Sequence, residues 1–137
     1  MIKVTSPERG NDVHGSGHYG ASRGHRKHNG VDYSAVIGSV VHSLCDGKVT
    51  KLGFPYNDDY SYRYVEVTDK NGFAVRYFYV CPSVNLGDMV KKDDSLGSVQ
   101  NLGKRYKNIT NHIHFEIEVN GENIDPRPWL DALGDRA

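Results

Sequence analysis

The chain has 137 residues, 37% of them hydrophobic and 25% charged, with a formal net charge of zero when histidine is neutral. That is enough apolar material for one core, read as a single domain over 1–137, and not for two. With no basic excess and no apolar run of spanning length, neither a nucleic-acid partner nor membrane insertion is expected.

From Met1 to Gly10 the chain is already polar, so no signal peptide is read at its start. The stretch to Gly30 is rich in glycine, serine, histidine and charge, and it reads as one long ordered loop with brief extended pieces. A loop of that length is unusual in a small domain unless it serves a site. Arg23, Arg26 and Lys27 give it a local positive cluster, either to meet an anionic substrate or simply to be solvated.

From Val31 onward the chain reads as β. Apolar runs at Val36–Leu44, Lys48–Gly53, Tyr62–Thr68, Phe73–Val80, Leu96–Val99 and Ile113–Val119 are separated by turn signals at Asp46-Gly47, Asn71-Gly72, Gly87-Asp88 and Asn120-Gly121. Asn71-Gly72 is the sharpest hairpin signal, because both residues accept the positive φ of a tight turn. Tyr56 to Tyr62 reads as a polar, aromatic surface loop. Pro82 ends the strand through Val80 and Cys81, because it cannot donate to a ladder. Pro128, Trp129 and Leu130, with Ala132 and Leu133, are expected to make a short helical turn. The fold class is mainly β: a single antiparallel β-sheet domain with long loops forming a groove over the sheet. Cys45 and Cys81 are too few for a disulfide scaffold, and both buried thiols and one bridge are compatible with their positions.

Residues 112–119 alternate strictly. His112, His114, Glu116 and Glu118 take one face, while Ile113, Phe115, Ile117 and Val119 take the other, as in a strand with one face on a core. Earlier, His28-Asn29-Gly30-Val31-Asp32 offers an imidazole and a carboxylate across a turn leading into a strand. Together these groups suit a zinc site with one position open for water. The plainer alternative is a surface histidine at 28, a turn-capping aspartate at 32, and His112 and His114 paired with Glu116 and solvent. Tyr106 stands beside Lys104, Arg105 and Lys107 in a basic, aromatic patch that either lines the groove or is ordinary solvated loop.

Several motifs in order resemble peptidase family M23, the lysostaphin or LytM type. His28-Asn29-Gly30-Val31-Asp32 resembles its H-x-x-x-D motif, and His112-Ile113-His114 its H-x-H motif. Tyr19-Gly20-Ala21-Ser22-Arg23, Asp46-Gly47-Lys48-Val49, Gly87 through Lys92, and Asp125-Pro126 resemble accompanying segments. The resemblance implies a LytM-like sheet, one Zn2+ per chain held by His28, Asp32 and His114, and His112 as the catalytic histidine beside the metal-bound water. It also implies a hydrolase: a zinc metalloendopeptidase cutting peptide bonds of bacterial peptidoglycan, acting outside the cytoplasm or as a virion-associated or host-released phage lysin. The expected partner is bacterial cell-wall peptide, as substrate or ligand, with a monomer favoured.

One position departs from that pattern. Active members carry a Y-x-H segment on a middle strand, whereas this chain has Tyr77-Phe78-Tyr79. Tyr79, in the histidine's place, can donate a hydrogen bond to an oxyanion but is a weak acid, with a reference pKa of ~10. It is assigned to the catalytic pair with His112. Phe78-Tyr79-Val80-Cys81-Pro82 is similar to the leukocyte cell-derived chemotaxin-2 group, whose members bind zinc without working as peptidases. That likeness implies the alternative function, a zinc-stabilised, catalytically inactive module that binds peptide or glycan.

Overall fold

The computed structural model describes residues 31–106 and 109–125, with the backbone of residues 11–12, 15–16, 22–23 and 26–27. Those early pieces are four two-residue strands: β1 (Asn11–Asp12) paired with β2 (Gly15–Ser16), and β3 (Ser22–Arg23) paired with β4 (Arg26–Lys27). They agree with brief extended pieces in a long loop. The expected turn at Pro128–Leu133 lies outside the described residues.

The rest follows in chain order as β5 (Val31–Ser34), β6 (Val40–His42), β7 (Gly47–Gly53), β8 (Tyr64–Thr68), β9 (Ala74–Phe78), β10 (Val80–Pro82), β11 (Met89–Val90), β12 (Ser95–Val99), β13 (His112–Val119) and β14 (Glu122–Ile124). The main sheet has seven strands in the order β11-β7-β8-β9-β13-β14, and β5 shares the β14 edge of β13. A second sheet runs β10-β12-β6, and among the described residues the pairings in both sheets are antiparallel. The architecture is mainly β with long loops over the sheets, as the alternation implied.

The registers separate two faces of the main sheet. Val65, Tyr77 and Phe115 stand in one row and Val67, Val75 and Ile117 in the next, all buried. They join Val41, Val80, Leu96 and Val99 of the second sheet in one core. Burying each such side chain contributes on the order of 1.5–3 kcal/mol before entropy is counted. Tyr77 brings a hydroxyl into that core, and the backbone N–H of Leu44 donates to it at 3.0 Å. Gly97 lets β12 lie tight against β10, since a Cβ there would run into the Cys81 carbonyl.

Three strand boundaries differ from expectation. Val36–Leu44 is not one strand: Gly38 turns with φ 83°, leaving Val36 and Ile37 exposed between β5 and β6. The run Phe73–Val80 is cut at Tyr79, which has φ 72°. There the chain leaves the main sheet and enters the second one, and the Arg63 carbonyl accepts both the Tyr79 and Val80 N–H groups at that corner. Val80–Pro82 is itself a strand, at the edge of its sheet, where a proline is tolerated.

Candidate functional site

The second face of the main sheet is polar, and its rows are also set by register. Asp32 on β5 lies directly opposite His114 on β13, which lies opposite Phe78 on β9. One row along, Glu66, Arg76 and Glu116 stand side by side on β8, β9 and β13. Strand pairing alone therefore brings Asp32 to His114 across 82 positions of sequence.

His114 is held at both ring nitrogens. Its Nδ1 lies 2.7 Å from Asp32 Oδ1 and its Nε2 lies 2.9 Å from Glu116 Oε2. Carboxylates only accept, so both nitrogens donate and the ring is an imidazolium. Burial alone would pull its pKa down, but hydrogen bonds and charge from Asp32 and Glu116 outweigh that and hold it up at about 9. Glu116 is likewise desolvated, yet its bond to His114 and the nearby Arg76 keep its carboxyl below the usual range. Arg76 continues the chain of charge, with Nε 2.8 Å from Glu66 and its other nitrogens 3.4 Å from Glu116 and 2.8 Å from Glu118.

His112 sits one pleat away, buried, with Nδ1 2.7 Å from the Thr110 carbonyl and Nε2 3.5 Å from Asp32 Oδ2. A carbonyl only accepts, so Nδ1 carries a proton. Asn111 fixes the start of this strand. Its side chain donates to the Ala35 carbonyl at 3.1 Å and accepts from the Leu102 N–H at 2.9 Å.

Tyr79 meets His112 edge-on, with ring centroids 5.5 Å apart. Its hydroxyl belongs to a relay that motif reading did not find. Tyr106 donates to Tyr56 at 2.9 Å, and Tyr56 donates to Tyr79 at 3.2 Å. Among the described residues no acceptor is placed for Tyr79's own proton. Burial, only partly offset by the Tyr56 bond, pushes the Tyr79 phenol up to about 12. It is a hydrogen-bond donor at neutral pH and a poor proton source. The Arg105 guanidinium caps the relay 3.7 Å from the Tyr56 ring centroid and pairs with Asp58 at 3.1 Å. Tyr106 is thus joined to Tyr79 through Tyr56. Tyr56 was missed because a loop tyrosine carries no periodicity, and the spacing of aromatics from Phe54 to Tyr64 was its sole signal.

Asp32, His112, His114 and Tyr79 lie together, while His28 lies outside the described residues. The zinc expectation is nevertheless corrected. Among the described residues no group of three or more His, Cys, Asp or Glu side chains is placed to hold a metal ion. In the structure both His114 ring nitrogens are taken up by carboxylates, Asp32 on one side and Glu116 on the other. The expectation of one Zn2+ per chain falls with it. So do the readings built on that ion, namely a zinc metallopeptidase, a peptidoglycan-cutting hydrolase and a phage lysin.

The Cys45 and Cys81 thiols are both free, Cys45 buried and Cys81 exposed. Among the described residues no helix is long and apolar enough to cross a membrane.

Comparison with known proteins bears on the same residues. The model of peptidase family M23 matches residues 26–126. Leukocyte cell-derived chemotaxin-2 of Mus musculus is 34% identical over 119 residues, covering 87% of this chain and 76% of that protein. A peptidoglycan DD-endopeptidase of Vibrio cholerae, ShyC, is 28% identical over 104 residues, covering 74% of this chain and 22% of its own length. Among solved structures, the antimicrobial peptidase lysostaphin from Staphylococcus simulans is similar with a TM-score of 0.66 at 26% identity. That similarity covers 78% of this chain and 45% of the lysostaphin chain. With its ordered motifs, its β architecture and a family match over residues 26–126, the chain belongs to peptidase family M23.

Proposed function

We propose that this chain is a catalytically inactive M23 module, a single unit over 1–137, that binds peptide or glycan of the bacterial cell wall. The observation that carries the reading is the state of the two histidine positions the family uses. His114 is closed into a pair with Asp32 and Glu116, and Tyr79 replaces the expected second histidine. What remains is recognition chemistry. Tyr79 offers an O–H held by Tyr56, and the buried His112 ring packs against it at right angles. A peptide carbonyl is a fitting acceptor for that O–H. Relatives include a peptidoglycan endopeptidase, which supports peptidoglycan as the ligand class and a site of action outside the cytoplasm.

Sedimentation with purified peptidoglycan tests this. Wild-type protein is expected to co-sediment, and Tyr79→Ala and His112→Ala are expected to weaken retention. No new amino termini should appear beyond those in a chelated control. Release of termini by wild type alone, abolished by chelation, would overturn the inactive reading. Failure to sediment would overturn the binding reading.

A further inference from the structure

The loop between β7 and β8 divides its aromatic residues. Tyr56 and Tyr62 turn inward: Tyr56 joins the tyrosine relay, and Tyr62 is buried with its hydroxyl donating to the Asn101 carbonyl at 2.6 Å. Phe54 and Tyr60 turn outward, 47% and 68% exposed, with ring centroids 5.1 Å apart. The Arg63 guanidinium lies 4.1 Å from the Phe54 centroid, anchored on the Gly53 carbonyl at 3.2 Å. Gln100 ties the loop down further, accepting from the Arg63 N–H at 3.0 Å and donating to the Ser61 carbonyl at 2.7 Å. These rings are therefore held outward by a well-bonded loop. An exposed aromatic pair whose ordering cost is already met in the free protein is suited to recognition.

The surroundings select the occupant. Asn57 and Asp58 are exposed on the same loop, and Asp59 caps its turn by accepting the Ser61 N–H at 3.1 Å. Stacked nucleic-acid bases would bring phosphates, which need unpaired positive charge, but Arg105 is already paired with Asp58 and Asp59 and Arg63 is bonded to the Gly53 carbonyl. An apolar protein partner would want aliphatic neighbours. A neutral sugar suits both features. The C–H face of a pyranose packs on aromatic rings, and its hydroxyls bond to carboxylate and amide groups.

We propose that Phe54 and Tyr60 form a sugar-stacking subsite for a β-linked N-acetylhexosamine strand, adjoining the Tyr79–His112 site through the shared loop. This rests on the cell-wall reading and deepens it, because it assigns the glycan and the peptide of one ligand to different residues.

The test uses two soluble probes, followed by NMR titration of the whole chain: an N-acetylglucosamine tetramer without peptide, and a stem peptide without sugar. Wild type is expected to bind the tetramer. Phe54→Ala and Tyr60→Ala should each weaken that binding roughly 3- to 10-fold. Both variants should keep wild-type affinity for the stem peptide, and Tyr79→Ala should keep wild-type affinity for the tetramer. Tyr60 is so exposed that its variant tests the subsite even if loss of Phe54 disturbs the loop. Absence of tetramer binding by wild type, or unchanged binding by both ring variants, would overturn the subsite. Tetramer binding with no stem-peptide binding would support the subsite and separately remove the peptide from the functional reading.

Discussion

His114 shows how a residue's neighbours decide its chemistry. The same imidazole that can ligate a metal is here a cation shared by Asp32 and Glu116. Its pKa of about 9 lies above the ordinary histidine value of 6.5, so its contribution to stability is full below ~6.5 and is lost as pH climbs through about 9. Glu116 is shifted down from 4.5, so its contribution is present above ~4.5 and is lost as pH falls through its lower folded value. This pair therefore stabilises most between those limits, and the melting temperature should sag on the alkaline side first. Nitrogen-detected NMR of the imidazole at pH 7 should find both His114 nitrogens protonated. A neutral ring there would refute the double clamp. The alternation of residues 112–119 showed in advance which histidines share a face. It also admitted Glu116 as a partner on that face, but not which histidine Glu116 would reach, because that choice depends on side-chain rotamers.

Tyr79 is the residue whose backbone was least legible. A bulky side chain at φ 72° sits in a region that costs on the order of 1–3 kcal/mol, and only tertiary bonds to Arg63 and Gln100 make it tolerable. Local sequence reads Phe73–Val80 as unbroken strand, since nothing in Phe78-Tyr79-Val80 is a turn signal. Val36–Leu44 failed for the converse reason. Its apolar residues promised burial, but Gly38 and Ser39 turn the chain there, with the Ser39 N–H and hydroxyl both donating to the Val36 carbonyl.

At the scale of strands, the polar face of the main sheet is organised by Arg76. It answers Glu66 from β8 and both Glu116 and Glu118 from β13, so one guanidinium ties three adjacent strands together. All but Glu118 are largely shielded, with side chains 12–17% exposed. Removing one partner from such a group leaves uncompensated charge and costs more than the interaction contributed. Arg76→Met is therefore expected to destabilise by about 3 kcal/mol in urea unfolding at pH 7. Glu116→Gln should recover part of that loss in the double variant, because fewer carboxylates then face one another. A fully additive double variant would show that the three strands are not coupled through Arg76. The same network positions the site, since Glu116 is the group that Arg76 and His114 share.

For the molecule as a whole, the two larger sheets among the described residues enclose one core, and the two cysteines report on it from different depths. Cys45 belongs to the core cluster and also lines a cavity of about 580 Å³ with Leu44, Lys48, Asp69, Met89 and Lys92. Burial, with Asp69 adding to it, pushes its thiol up to about 11, so at pH 8 the thiolate is on the order of 10⁻³ of the population. Cys81 lies exposed on edge strand β10. Alkylation at pH 8 should therefore modify one thiol per chain quickly and the other at a rate lower by about two to three orders of magnitude. The slow phase is the informative one. If the core opens as a unit, that rate should rise with urea along the same slope as global unfolding, and Arg76→Met should accelerate it in proportion to its loss of stability. If Cys45 instead reacts through local breathing of the cavity wall, its rate should be nearly independent of urea and unmoved by Arg76→Met. That outcome would separate the cavity end of the main sheet from the rest of the core as an independently opening unit.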